Sequence, residues 1–487
     1  MPEERPEPTV SAAPPARERP GRSFDRDWTQ GSIARNLLLL AWPLVVGSVV
    51  NQFDMVVDMV WVARLGARAV AGVGVAGTLT MLLSMFRMGL TTGQRAMISR
   101  AVGANDIEAA NHVTMQSFLV NVIYASVTIV IGVMLAEPLM RMMGVEAEVV
   151  REGANYLRIS MFGGAAMSFR MTAEASMSAS GDTMTPMKIT MFTRVFHIIA
   201  APFLIFGWGF FPRLEVSGAA LANTLTSCVG AAVAMWVLTS GLTRVHLRLT
   251  WRFSRIIIWE MLRIGFPASL NSAGGSIART FITRILTTFG TYGVAASVIA
   301  GRIDSITELM SQGLSQAAGV MVGQNLGAGR PDRAYRSAWT AMGLGALASL
   351  ILVIFVVWKA ELIARIFTSD PELIRITSTY VRIISAQFVT MCGAFVFSSA
   401  LSGAGDTVSP MVAMLGTLWG VQLPLAYFLP RITDWGVYSM AVATVIATSI
   451  RVLIYIAFFQ SGRWKRIKIR FDAGEPTPSG GPPRGMR

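Results

Sequence analysis

One register runs through this sequence twice. Pro43 has its twin at Pro267, and the same 224-residue step links Gly66 to Gly290, Gly89-Leu90 to Gly313-Leu314, Gly103-Ala104 to Gly327-Ala328, and Gly181-Asp182-Thr183 to Gly405-Asp406-Thr407. The step holds without a gap from Pro43 to Met187. The chain is two copies of one unit, and its fold must place them as near equivalents.

Composition says what the units are made of. The 487 residues are 53% hydrophobic and 14% charged, against about 25% charged in soluble domains. Apolar runs of about 20 residues recur, each long enough for a membrane-spanning helix. The pattern predicts twelve spans, six per unit, and an all-α polytopic membrane protein. Six is even, so both units cross in the same sense. Their pseudo-two-fold axis then lies along the membrane normal. The expected plan is a disordered cytoplasmic tail at 1–35, an N-lobe at 36–240, a basic linker at 241–259, a C-lobe at 260–460 and a basic tail at 461–487. Residues 137–152, helical in period and mixed in charge, are expected at the membrane interface.

The net charge of +14 does not indicate nucleic acid, because the basic residues gather in loops and tails that flank the spans. With a cytoplasmic N-terminus, the inside segments hold 22 Lys and Arg and the outside segments nine. That bias places both termini in the cytoplasm, in a plasma-membrane protein. Cys228 and Cys392 both fall in apolar runs, so no disulfide framework or metal motif is implied. No nucleotide-binding loop and no catalytic constellation is found, so the chain reads as a non-enzyme without a cofactor.

Chemistry enters in the first span. Gly47, Asn51, Asp54 and Asp58 share one helix face. A carboxylate at mid-span costs roughly 2.5–3.5 kcal/mol to insert and normally faces a protein interior or a wet cavity. The twin positions are Ala278 and Ile282, so the architecture is symmetric and the acid pair is not. His197, in the fifth span, is either a structural hydrogen-bonding residue or part of a proton site with Asp58. Arg170 and Glu174 stand i,i+4 and are expected to pair. Arg87, Arg95 and Arg194 have no local partner. In the second unit, Asp304 and Glu308, with Arg302, Arg279 and Arg284, suggest a second polar network, structural or functional.

Several motifs resemble the multidrug and toxic compound extrusion (MATE) family. They are the run from Asp58 to Gly74, the V-G-Q-N-L-G-A-G of Val322–Gly329, and the Gly-Asp-Thr turns at Ser180–Pro186 and Gly405–Pro410. The resemblance covers residues 37–460. It implies two six-helix lobes in a V, and export of small organic compounds, often amphipathic cations, against inward H⁺ or Na⁺. It assigns Asp58 as the coupling acid, joined here by Asp54, and Pro43 as the site of a helix-1 bend. The family's helix-5 Asn-x-x-x-Asp-Pro is His197 to Pro202 here, with His197 for its asparagine and Ala201 for its acid. Its helix-6 threonine falls at Asn223. The second-lobe acids of one branch fall at Gly275 and Met391 and are missing. The expected coupling set is thus Asp58, Asp54, His197 and Asn223, with Na⁺ at Asp58 if the ion is a metal. The expected partners are small organic substrates and membrane lipids, with no nucleic acid, around a monomer. The alternative is a lipid-linked sugar flippase of related fold, which would use the arginines of helices 7 and 8.

Overall fold

A computed structural model describes residues 26–471, apart from 66, 143–146, 209–211 and 248–252. The first unit forms α1 (Ile33–Ala63), α2 (Ala67–Gly103), α3 (Ile107–Met142), α4 (Ala147–Ser180), α5 (Met184–Phe206) and α6 (Glu215–Thr239). The second forms α7 (Arg255–Leu286), α8 (Gly290–Gly327), α9 (Pro331–Phe367), α10, α11 and α12 (Tyr438–Gln460). α10 consists of Pro371–Ser385 and Gln387–Gly403, bent by 42°. α11 (Val408–Ile432) carries one π-helical turn at Leu418–Gln422. Among the described residues, nine stretches are long and apolar enough to cross a membrane, ten with the bent α10. α7 and α8 count there as one stretch. α4, which buries Arg170 and carries Arg158 and Glu174, is too polar to qualify. Counted by chain path, the protein makes twelve passes in two six-helix lobes.

The pseudo-two-fold axis shows in the contacts between lobes. A side chain on Gly103 of α2 would strike the backbone of Gln324, and one on its twin Gly327 of α8 would strike the backbone of Arg100. Gly89 lies in the same way against Gly265 and Ser269 of α7, and its twin Gly313 against Ala41 and Val45 of α1. Backbones approach this closely only where no Cβ intervenes. Polar contacts repeat the pattern. Arg100 Nη2 donates to Ala404 O at 2.8 Å, and its twin Gln324 donates from Nε2 to Ala179 O at 2.9 Å. These contacts run from mid-helix to the end where both termini lie.

Four segments differ from the sequence expectation. Residues 26–35 are ordered, although a disordered tail was expected at 1–35; residues 1–25 lie outside the described set. Trp28 is buried against Gly181 in the α4–α5 turn. Arg330 and Arg333 donate to the carbonyls of Thr29, Gln30 and Gly31. The C-terminal segment is also docked as far as 471. Trp464 is fully buried, and Ile467 and Ile469 cover Gly405, the twin of Gly181. An indole with packing partners supplies the apolar burial that composition alone does not reveal. The 137–152 stretch is no interfacial helix of its own. α3 continues through Pro138 to Met142, α4 begins at Ala147, and residues 143–146 lie outside the described set. α3 is about 54 Å long at 1.5 Å per residue, so its end outreaches a core of about 30 Å. The exposed Glu137–Arg141 pair, 2.6 Å apart, sits on that overhang. The linker expected at 241–259 ends early, since α7 starts at Arg255. His246 N donates to Asn111 Oδ1 of α3 at 2.7 Å, which ties the linker down.

Candidate functional site

α1, α5 and α6 pack together inside the N-lobe. Asn51, Asp54 and Asp58 fall on the α1 face turned to α5, as their spacing requires. On α5, Arg194 and His197 stand three residues apart and share a face. The faces meet. Arg194 donates from Nη1 to Asp54 Oδ2 and from Nε to Asn51 Oδ1, both at 2.8 Å. His197 Nδ1 lies 2.7 Å from Asp54 Oδ1. Both Asp54 oxygens are therefore engaged, and Asp54 and His197 are 4% and 1% exposed.

Asp58, one turn further along α1, is half-buried and held more loosely. Asn223 Nδ2 of α6 donates to its Oδ2 at 3.3 Å. Its Oδ1 is buried with no hydrogen-bond partner and faces His197 Nε2, also buried and unpaired, at 3.9 Å. The carboxylate at Nδ1 keeps the imidazole proton on that nitrogen, so a neutral His197 points the Nε2 lone pair at Asp58. Two acceptors thus face each other across a gap that one proton would satisfy. An unmade buried hydrogen bond costs about 1–3 kcal/mol.

The polar chain continues inward. Arg170 and Glu174 pair at 2.8 Å across one turn of α4. Glu174 also lies within electrostatic reach of Arg194 and Arg95. Among the described residues, neither Arg87 nor Arg95 makes an ion pair or donates a hydrogen bond, and the Nε of each is buried without a partner. Arg95 reaches the wall of a cavity of about 370 Å³ between the lobes. Ser99, Asn271, Gln312 and Ser399 line it, and so does Glu308 from the C-lobe side.

Asp58, Asp54, His197 and Asn223 converge on one another. Pro43 does not join them. It is buried four turns away, and α1 runs through it as a single helical span. The second polar network does not form as expected. Asp304 accepts from Gln387 Nε2 at 3.2 Å, and Glu308 from Gln312 Nε2 at 3.1 Å. Arg279, Arg284 and Arg302 are exposed, and no ion pair joins them to either acid. Arg302 is two residues from Asp304, and side chains at i,i+2 leave a helix on different faces. The sequence reading missed Arg194 as the shared partner of Asp54 and Asn51. The i,i+3 spacing of Arg194 and His197 was the available signal.

The sequence model of the MatE family matches residues 43–203 and again residues 267–428. A probable multidrug resistance protein NorM of Thermotoga maritima is 25% identical over 442 residues, which cover 89% of this chain and 94% of that protein. An FAD transporter of Shewanella oneidensis is 25% identical over 396 residues, 81% of this chain and 87% of its own. Among solved structures, a MOP superfamily transporter from Pyrococcus furiosus, described as having a binding pocket of reverse polarity, superposes with a TM-score of 0.83. It is 23% identical and covers 91% of this chain and 98% of its own. A MATE structure in the straight conformation gives a TM-score of 0.83 at 24% identity, over 89% and 97% of the two chains.

Proposed function

Because this chain belongs to the MatE family, we propose that it is a secondary active antiporter of the plasma membrane. It exports small organic compounds, amphipathic and often cationic, against inward flow of a coupling ion. Both termini, the linker and the closed end of the V are cytoplasmic in this reading. One chain holds the whole pathway, so it acts as a monomer among membrane lipids.

One observation carries the proposal. Asp58 Oδ1 and His197 Nε2 are buried, face each other at 3.9 Å and have no hydrogen-bond partner. An ion arriving from outside changes that contact from repulsive to bonded. The sequence leaves H⁺ and Na⁺ open, and the site chemistry favours the proton. Sodium is a hard cation that prefers several oxygen ligands, whereas imidazole nitrogen suits transition metals. Asp54, already neutralised by Arg194, orients His197 and fixes its tautomer. Asn223 steadies Asp58. The flippase alternative finds less support, because Arg279, Arg284 and Arg302 do not line the central cavity.

Efflux of ethidium from proteoliposomes, with pH and Na⁺ gradients imposed separately, tests the reading. Export driven by the pH gradient alone is expected. Export that follows only the Na⁺ gradient would overturn the proton assignment, and export that needs neither would overturn antiport.

A further inference from the structure

A second, much smaller pocket lies where α7 packs on the N-lobe. α2, α3 and α4 wall it, and Met261 of α7 closes it. Arg87 of α2 and Asn121 of α3 stand in its lining. Arg87 Nε and Asn121 Nδ2 are both buried without a hydrogen-bond partner, and Asn121 is 3% exposed. The other donors around the pocket are spent. Gln94 gives its amide hydrogens to Thr172 O and Ser176 Oγ, and Ser117 gives its hydroxyl to Val113 O or Met261 Sδ. No carboxylate lines the pocket. Among the described residues, the titratable groups within electrostatic reach of Arg87 are Tyr124 and Arg170, neither of them an acid. Arg170 already has its partner in Glu174 at 2.8 Å.

The internal repeat supplies a control. The 224-residue step carries Arg87 to Ser311 and Asn121 to Gly345. Both twins line the corresponding niche of the C-lobe, a largely apolar groove of about 340 Å³. The scaffold therefore forms that niche without a guanidinium or a buried amide, and packing does not demand Arg87 and Asn121 in the N-lobe. A buried cation and a buried amide donor are both costly when left without acceptors. The pair makes sense with an acceptor between them that the chain itself does not provide.

We propose that this pocket holds one halide ion, chloride in the cell, which accepts hydrogen bonds from Arg87 Nε and Asn121 Nδ2. Charge selects an anion over water, because one of the two unused donors is cationic and lacks a counter-charge. Size selects a monatomic anion. The pocket leaves about 10 Å³ for the centre of a water-sized sphere, which is room for about one such particle. A phosphate or a carboxylate does not fit. The site also senses how the lobes stand. Met261 belongs to the C-lobe, and a side chain on Gly93 of α2 would strike its carbonyl. The ion is sealed in only while α2 and α7 stay in contact. Under the export reading, on which this last step alone rests, movement of α7 away from α2 opens the pocket to water. A bound chloride therefore favours the state closed at the end where both termini lie.

Bromide replaces chloride and scatters anomalously, so crystals of the intact protein grown in sodium bromide test the site without any gradient, cargo or coupling at Asp58. One anomalous peak is expected within hydrogen-bond reach of Arg87 and Asn121. In nanodiscs, chloride should raise the melting midpoint saturably over sodium gluconate of equal ionic strength. Asn121→Asp sets a fixed negative charge beside Arg87. It should fold, and lose both the peak and the chloride effect. Arg87→Lys should keep the effect at weaker affinity, and Arg87→Gln should abolish it. Spin labels at the α2 and α8 ends nearest the termini should stand closer in chloride than in gluconate, and equally close in both salts for Asn121→Asp. A pocket without bromide would overturn the proposal, as would a chloride effect that survives both Asn121→Asp and Arg87→Gln. A bromide peak with no melting response would mean an adventitious ion only. Bromide in place, with label distances indifferent to chloride, would overturn the link to the closed state.

Discussion

Asp58 and Asp54 sit one turn apart, yet the structure gives them different work. Asp54 spends both oxygens on Arg194 and His197 and is fixed. Asp58 has one oxygen without a partner. We predict that Asp58→Asn abolishes coupled export in proteoliposomes while the protein remains as stable as the parent. An amide there cannot gain and lose a proton. Asp54→Asn should instead lower thermal stability, because it strands Arg194; breaking a buried pair costs about 3–5 kcal/mol. Full coupling in Asp58→Asn would remove it from the mechanism, and an Asp54→Asn protein of unchanged stability would mean that Arg194 finds another partner. The acids and their shared face were legible in the sequence, and so was the Arg170–Glu174 pair, because helical spacing brings those groups together locally. The Arg194–Asp54 contact was not legible, since it joins residues 140 apart and depends on which way α5 turns.

Two short straps close the end where both termini lie, one from each terminus. The N-terminal strap lays Trp28 on Gly181 of the N-lobe while Arg330 and Arg333 of the C-lobe hold its carbonyls. The C-terminal strap lays Ile467 and Ile469 on Gly405 of the C-lobe while Arg100 of the N-lobe holds Ile467 O at 3.0 Å. Each strap therefore ties its lobe to the other, around the same axis, although the two sequences are unrelated. Both turn glycines have positive φ, +99° and +91°, where a side chain would be strained. Within the first strap, burial works against the Asp27 carboxylate. Hydrogen bonds from Thr29 N and Oγ1 and from Gln30 Nε2 outweigh it and hold its pKa below the ordinary value. A depressed folded pKa gives stability that is present above the unfolded value and lost as pH falls through the lower folded one. The strap is thus intact near neutrality. Trp28→Ala removes the indole, a loss of about 3–5 kcal/mol for a buried aromatic. In a protein lacking Cys228 and Cys392, a cysteine at Ser178 should then react faster with an impermeant thiol reagent in inside-out vesicles. An unchanged rate would mean that the strap does not hold the lobes. Neither strap was legible beforehand, because Pro, Arg and Glu dominate their surroundings and one tryptophan decides the docking.

The whole molecule is a symmetric scaffold with an asymmetric polar interior, and only the scaffold is written twice. The repeat disclosed the lobes, the axis and the six-by-six plan. It could not disclose the wiring, because the twins of Asp54, Asp58 and Arg95 are Ala278, Ile282 and Gly319. Symmetry makes its own prediction. Gly103→Leu and Gly327→Leu each force a side chain into the backbone of the facing helix, so both should shift the transporter toward its cytoplasm-open state, and to a similar extent. Spin-label distances between the cytoplasmic ends of α2 and α8 would report the shift. Lengthening in one variant alone would mean that the two contacts are not equivalent. The unpartnered oxygen of Asp58 has a further consequence, in the currency of membrane voltage. If Asp58 carries one proton inward per cycle, a cargo of no net charge makes every cycle an inward current, and a monovalent cation moves none. An inside-negative potential should therefore hasten export of zwitterionic rhodamine 110, by up to about 2.3 kcal/mol of driving force per 100 mV, and leave its cationic methyl ester rhodamine 123 indifferent. The cell's resting potential would then help to select which cargo leaves.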